Sequence, residues 1–102
     1  MPTRTVRASM RRRPTRRGKE EREAFYRSAA YRDLEARLAA NVRALRAERD
    51  WSQELAAEQC GLSPRVVQTV EAGTNATLVT LARLADGFDV DVTRLLRARA
   101  AR

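Results

Sequence analysis

The spacing of apolar side chains after residue 30 is that of a helix. Five of them recur at intervals of three and four: Tyr31, Leu34, Leu38, Val42 and Leu45. Such intervals place the side chains on one helical face. No Pro or Gly occurs from Lys19 to Asp50, so we predict helical structure there, starting near Lys19 or Glu20, where acidic residues suit the positive end of the helix dipole. The pattern leaves open whether this span is one helix or two.

Helix-start and helix-stop signals are dense after that span. Ser52 is suited to cap a helix that ends near Cys60, because Gly61 can adopt the left-handed conformation that closes helices. Ser63 is a second N-cap, and Pro64 suits the first helical position. Two short helices joined by so short a turn have helix-turn-helix spacing.

Further helices are predicted toward the C-terminus. The helix that begins at Pro64 should end near Ala72, before Gly73. Thr77 is suited to cap the next helix, whose apolar face is Leu78, Leu81, Leu84, Ala85 and Phe88. A last short helix follows Asp91 and presents Val92, Leu95 and Leu96. Without strand-like alternation, the pattern indicates an all-α fold.

Charge is concentrated at the N-terminus. The chain has 21 basic and 13 acidic residues and a formal net charge of +8. Eight of the basic residues and none of the acids lie in residues 1–19, so residues 20–102 are neutral overall. We predict a disordered basic arm over residues 1–18 that attracts DNA without sequence preference. Its candidate phosphate-binding residues are Arg11, Arg12, Arg13, Arg16 and Arg17. An arm that serves only solubility is an alternative reading.

Composition excludes several function classes. The chain has no His and one Cys, Cys60, so we expect no metal site, no internal disulfide and no nucleophile–base pair. We therefore predict that the protein is not an enzyme and needs no cofactor. Without a signal peptide or a long apolar run, we expect a cytoplasmic, nucleoid-associated protein with no membrane partner.

One segment resembles a known family. The residues that carry the resemblance are Ser52-Gln53-Glu54, Ala57, Gly61-Leu62-Ser63, Val67, Val70-Glu71-Ala72-Gly73, Leu78, Thr80-Leu81, Leu84-Ala85, Phe88, Val90 and Leu95-Leu96. They resemble the Cro/repressor-type (XRE) helix-turn-helix family from about Leu38 to Leu96. The resemblance implies a compact five-helix, lambda-repressor-like DNA-binding domain over residues 38–98, whose third helix enters the major groove. A helical extension over residues 19–37 would precede it.

The same resemblance implies site residues. Those matching DNA-contacting positions are Ser52, Gln53, Ser63, Pro64, Arg65, Val66, Gln68, Thr69 and Asn75. Gln53 matches a phosphate-binding position, whereas Arg65 and Thr69 match base-reading positions, although a phosphate contact for Arg65 remains an alternative. Arg46 and Glu71 match a partly buried structural ion pair.

The chain also departs from the family pattern. Ala56 stands where a large Leu is usual, so Trp51 or Leu55 is expected to fill that volume, unless the helix is rotated slightly. The loop after the recognition helix, residues 73–76, carries no charge. We therefore expect DNA affinity to depend more on the basic arm.

Two functions follow from these observations. The first is a sequence-specific transcriptional regulator that binds double-stranded DNA, as a homodimer through Val92, Leu95 and Leu96. The second is an antitoxin that binds both its own operator and a protein toxin. In that case residues 19–37 would form the toxin-binding surface, with Phe25, Tyr26 and Tyr31 as anchors.

Overall fold

The computed structural model describes residues 16–74 and 76–98, and the side chains from Gly18 onward. This part of the chain is all-helical, as predicted, and contains no strand. Its helices are α1 (Arg16–Phe25), α2 (Ala29–Arg49), α3 (Gln53–Cys60), α4 (Pro64–Glu71), α5 (Leu78–Phe88) and α6 (Val92–Leu96). None of them is both long and apolar enough to cross a membrane.

The first helix begins earlier than the sequence predicted. It starts at Arg16 rather than near Lys19 or Glu20, so the acids expected at its N-terminus lie beyond the first turn, which contains no acidic residue. Gly18 lies inside the helix; a single Gly costs only about 1 kcal/mol relative to Ala in a helix interior. The prediction placed too much weight on charge at the helix start.

The span left open by the sequence is two helices. Residues 26–28 separate α1 from α2, and Ser28 is the N-cap of α2. Its hydroxyl oxygen accepts a hydrogen bond from the Tyr31 backbone N–H at 3.2 Å. The capping preference of Ser is a local signal that could have located this break.

Every helix from α2 onward contributes to one core. The fully buried large side chains include Val42 and Leu45 from α2, Val67 and Val70 from α4, Leu84 and Phe88 from α5, and Leu95 from α6. The predicted apolar faces are less complete than their spacing suggested. Leu34 is 43% exposed, Leu78 83% and Val92 40%.

The contact between α3 and α5 is very close. A Cβ atom on Gly87 would lie 2.4 Å from the Cys60 sulfur and 2.8 Å from the Gln59 carbonyl oxygen. No side chain fits there, so Gly87 allows these helices to touch. Nearby, Trp51 stacks on Phe88 with ring centroids 5.4 Å apart, whereas Leu55 stays at the surface. Of the two candidates, Trp51 is therefore the large side chain that packs against the core.

The last helix is held by a buried amide. Asn41 is fully buried, and its Nδ2 donates to the carbonyl oxygens of Leu95, at 2.8 Å, and Arg97, at 2.9 Å. Arg94 reaches back to Glu48 with an N–O distance of 2.8 Å. These contacts fix α6 against α2, so Leu95 closes the core of its own chain.

Candidate nucleic-acid interface

The helix that the resemblance assigns to base reading, α4, is two-sided. Its N-cap is Ser63, whose hydroxyl oxygen accepts from the Val66 N–H at 3.3 Å, and Pro64 occupies the first turn. Val67, Val70 and Glu71 are buried on its inner side. Its outer side exposes Pro64, Arg65, Gln68 and Thr69, with Val66 half-buried at the margin. The spacing of 3.6 residues per turn produces this division.

A polar network fixes the C-terminal end of α4. The Glu71 carboxylate accepts from Arg46 twice, from Nε at 2.6 Å and Nη2 at 3.0 Å. Arg46 also donates from Nη1 to the Trp51 carbonyl oxygen at 2.9 Å. The hydrogen bond and negative charge of Glu71 raise the pKa of Arg46. Such a bidentate pair sets distance and angle together, so α4 is held in one register on α2.

Gln53 joins this network from the start of α3. Its Nε2 donates to Glu71 Oε1 at 3.1 Å. A side-chain amide has two N–H donors, so one is used by Glu71 and the other can serve an external acceptor. Glu71, the C-terminal residue of α4, thus orients the side chain of Gln53. Gln53 is the residue that the resemblance matches to a phosphate-binding position.

Sequence reasoning missed a further contact to the same helix. The Arg43 Nη1 donates to the Glu71 carbonyl oxygen, one of the terminal carbonyls that a helix leaves without an internal partner. Arg43 precedes Arg46 by three positions, so both side chains share a face of α2. Two arginines three positions apart, just before a helix-turn-helix pattern, are the sequence signal that could have predicted the contact of Arg43 with α4.

The exposed polar side chains of α4 differ in whether they form hydrogen bonds within the protein. Thr69 Oγ1 donates to the Arg65 carbonyl oxygen at 2.8 Å. Among the described residues, no hydrogen bond or ion pair engages the side chains of Arg65 or Gln68. A shallow groove runs beside them, between α4 and the start of α5, and its wall includes Val66 and Thr80. The outer face therefore offers two unengaged polar groups and an apolar margin.

Some predicted site residues lie outside the described part of the chain. Arg11, Arg12, Arg13 and Asn75 are among them. Arg16 and Arg17 begin α1, and only their backbone is described. Ser52 is placed as the N-cap of α3 and is exposed, with its hydroxyl oxygen accepting from the Leu55 N–H at 3.0 Å.

The described residues give little support for a metal site or a reactive cysteine. No group of three or more Cys, Asp or Glu side chains there could hold a metal ion. Cys60 is buried, and burial raises the pKa of its thiol. A thiol with a raised pKa is a weak nucleophile at neutral pH, so Cys60 acts as a small core side chain.

Comparison with known proteins agrees with this geometry. A family model described as helix-turn-helix matches residues 42–95, which is more than half of the chain. The chain belongs to the XRE-type helix-turn-helix family. The matched residues run from within α2 into α6 and contain the whole Glu71 network.

Relatives of this helix-turn-helix protein are named as transcription factors. A hypothetical transcription factor of Neisseria meningitidis serogroup B is 40% identical over 65 residues, which are 63% of this chain and 61% of the relative. The crystal structure of a hypothetical transcription factor from Neisseria matches with a TM-score of 0.60 and 38% identity, covering 63% of this chain and 75% of that one. The chain thus spans less than two thirds of the curated relative's length.

Proposed function

We propose that this helix-turn-helix protein is a sequence-specific transcriptional regulator that places α4 in the major groove of double-stranded DNA. The two-sided construction of α4 carries the proposal. Glu71 anchors its inner side to Arg46 and Gln53, while Arg65 and Gln68 project unengaged from the outer side. A rigid helix with free polar side chains is what base reading requires.

Each exposed group has a role in this proposal. Arg65 donates hydrogen bonds from its two terminal nitrogens to the O6 and N7 atoms of a guanine, and Gln68 pairs with an adenine. Ser52, Gln53 and Ser63 lie at helix N-termini, where backbone N–H groups and the dipole favour phosphate oxygens. Val66 and Pro64 add apolar contact at the groove edge, and Asn75 adds a contact from the loop.

The basic arm supplies attraction at long range. Residues 20–102 are neutral overall, so a phosphate backbone attracts the folded part weakly. The arm neutralises phosphates and releases counterions, and each phosphate contributes about 0.9 to the slope of log affinity against log salt. Such a regulator acts in the cytoplasm, on the nucleoid.

The regulator works as a homodimer in this proposal. Leu95 is used by the monomer core, which leaves the exposed Val92 and the half-buried Leu96 for a two-fold contact. A two-fold dimer sets the half-sites about one DNA turn apart. Sedimentation of the purified protein, free and with a selected duplex, is expected to give two chains in both states. A single chain in both states rejects the dimer.

The function is tested by measuring separately what the basic arm and α4 each contribute to DNA binding. A duplex selected from random DNA and a scrambled duplex are titrated at several salt concentrations with wild type, Arg65→Ala and a chain lacking residues 1–18. Arg65→Ala should reduce the preference for the selected duplex by about 1–3 kcal/mol with little effect on the scrambled duplex. The truncated chain should bind both duplexes more weakly, with a flatter salt slope and unchanged preference. If unbiased selection enriches no sequence, the protein is not a sequence-specific reader.

One observation favours a second candidate function, an antitoxin role. Phe25 and Tyr26 are 59% and 52% exposed at the end of α1, where Tyr26 packs edge-to-face on Tyr31 at 5.0 Å. An exposed aromatic cluster is typical of a protein-binding anchor. Co-purification with the product of an adjacent gene that is toxic when expressed alone tests this role. Loss of that complex in the Phe25→Ala, Tyr26→Ala double variant, with DNA binding retained, supports it.

A further inference from the structure

The outer face of α4 carries a side chain whose hydroxyl group is already bonded. Thr69 Oγ1 donates to the carbonyl oxygen of Arg65, one helical turn earlier, at 2.8 Å. Thr side chains in helices adopt this arrangement because the carbonyl four residues back accepts from the hydroxyl. Since Thr69 is exposed, the group left facing away from the backbone is its methyl group.

The surroundings of Thr69 make that methyl part of an apolar patch. Val66, one turn earlier on α4, lines the same shallow groove as Thr69, together with Val70 and Ala76. Arg65 and Gln68 flank this patch with unengaged polar groups. The outer face of α4 therefore combines side chains that suit hydrogen-bonding base edges with a patch that suits a small apolar group.

The end of α4 limits how Thr69 can move. Its own carbonyl oxygen accepts from the Thr74 hydroxyl at 2.8 Å. A β-branched side chain on a helix also has few allowed χ1 rotamers. The hydrogen bond from Thr69 Oγ1 to the Arg65 carbonyl oxygen selects among these rotamers and so orients the methyl group before any ligand binds, which lowers the entropy lost on contact.

We infer that Thr69 reads the 5-methyl group of a pyrimidine base through its own methyl group, and so acts as a specificity-determining residue. In the major groove this group distinguishes thymine from the other bases, and 5-methylcytosine carries the same group. The inference rests on the proposed function, because it requires α4 to lie in the major groove. In unmodified DNA the base it selects is thymine.

The test removes one methyl group at a time from the DNA. In a duplex selected from random DNA, each thymine is replaced singly by deoxyuridine, and dissociation constants are measured by fluorescence anisotropy. Burial of one methyl group contributes about 0.8 kcal/mol, which is about a fourfold change in affinity. Wild type is expected to lose about fourfold at one thymine per half-site. Absence of any such position overturns the inference, although sequence preference would still support the proposed function.

Two substitutions of Thr69 then assign the effect to its methyl. Thr69→Ser keeps the hydroxyl and removes the methyl, so the deoxyuridine effect should disappear. Thr69→Val keeps a methyl and removes the hydroxyl, so the effect should remain. In the opposite result, Thr69→Val binds the selected duplex more weakly and Thr69→Ser binds it as the wild type does. That result would mean that a base donates a hydrogen bond to the hydroxyl, and it overturns the inference. Thr93→Ser, at an exposed position on α6, is the matched control. It should leave the ratio of the affinities for the thymine and deoxyuridine duplexes unchanged.

Modified cytosine distinguishes the two sources of the methyl group. The sensitive pair is replaced by C·G, with and without a 5-methyl group on the cytosine. Methylation is expected to increase wild-type affinity by about fourfold and to have no effect on Thr69→Ser. Selection is also repeated from a pool in which every cytosine is methylated. Thymine at the sensitive position in both pools identifies thymine as the source, whereas a change to 5-methylcytosine overturns that assignment. A wild type that shows no sequence preference at all overturns the proposed function as well.

Discussion

Two short helices of this molecule, α1 and α4, have opposite relations to the core. From Lys19 to Phe25 every side chain of α1 is exposed. In the eight residues of α4, Val67, Val70 and Glu71 are buried and a bidentate ion pair holds the C-terminal end. Because isolated helices of this length are marginal in water, packing stabilises α4 far more than α1.

The difference separates a helix whose position is fixed by burial and by an ion pair from one whose position the core does not determine. A buried polar network has a large effect when one partner is lost, because the remaining charge is left without compensation. An exposed helix can be changed with little effect on folding. Substitutions that affect the two helices equally would contradict this comparison.

The largest effect is expected from the Glu71 carboxylate. Glu71→Ala leaves Arg46 without its partner and should lower the free energy of unfolding by about 3 kcal/mol, the lower end of the range for a buried pair because the Arg46 side chain is 22% exposed. Urea denaturation followed by circular dichroism measures the change. Arg37→Ala, which removes an exposed pair with Asp33, is the control and should change stability by no more than about 0.5 kcal/mol. Equal losses in the two variants would show that Glu71 is not a structural anchor.

A smaller effect is expected from the N-cap of α4. Ser63→Ala removes the side-chain acceptor of the Val66 N–H and should lower the unfolding free energy by about 1 kcal/mol. Ser63→Asp retains a capping acceptor and should preserve stability, although its charge should weaken DNA binding. The same denaturation experiment measures both variants. Destabilisation by Ser63→Asp as large as that by Ser63→Ala would argue against the cap.

The cap between α1 and α2 should respond differently. Ser28→Ala removes the acceptor of the Tyr31 N–H, but Ala allows the helix to continue through residues 26–28. We expect a change in unfolding free energy below about 1 kcal/mol together with increased helicity at those residues. Backbone chemical shifts measured by NMR report that helicity. Loss of helical shifts at the start of α2 would instead show that the cap is essential there.

A similarly small effect on stability is expected from removal of α1. A chain that begins at Ser28 retains the cap of α2 and loses the edge-to-face contacts of Phe25 and Tyr26 with Tyr31. Its unfolding free energy should lie within about 1 kcal/mol of the full chain. Thermal denaturation measures this difference. A large loss of stability would show that α1 is part of the folding unit, and the contrast with α4 would fail.

The sequence alone determined the helices and their order from α3 to α6. Ser52, Ser63 and Thr77 cap helices as predicted, and Gly61 adopts the predicted left-handed conformation with φ of 67°. These signals are local, since a cap requires only a side chain and the backbone three residues ahead. The predicted family is confirmed for the same reason, because its match depends on the spacing of such residues.

Only the tertiary structure decided which of these residues are engaged and which are free. The sequence could not show that Gln53 donates to Glu71, because 18 positions separate them and the contact needs α3 and α4 packed together. Helical spacing likewise placed Leu78 on an apolar face, yet it is 83% exposed, because a face is buried only where another helix covers it. Local chemistry therefore fixed where the helices from α3 to α6 begin and end, and packing decided which of their side chains remain exposed.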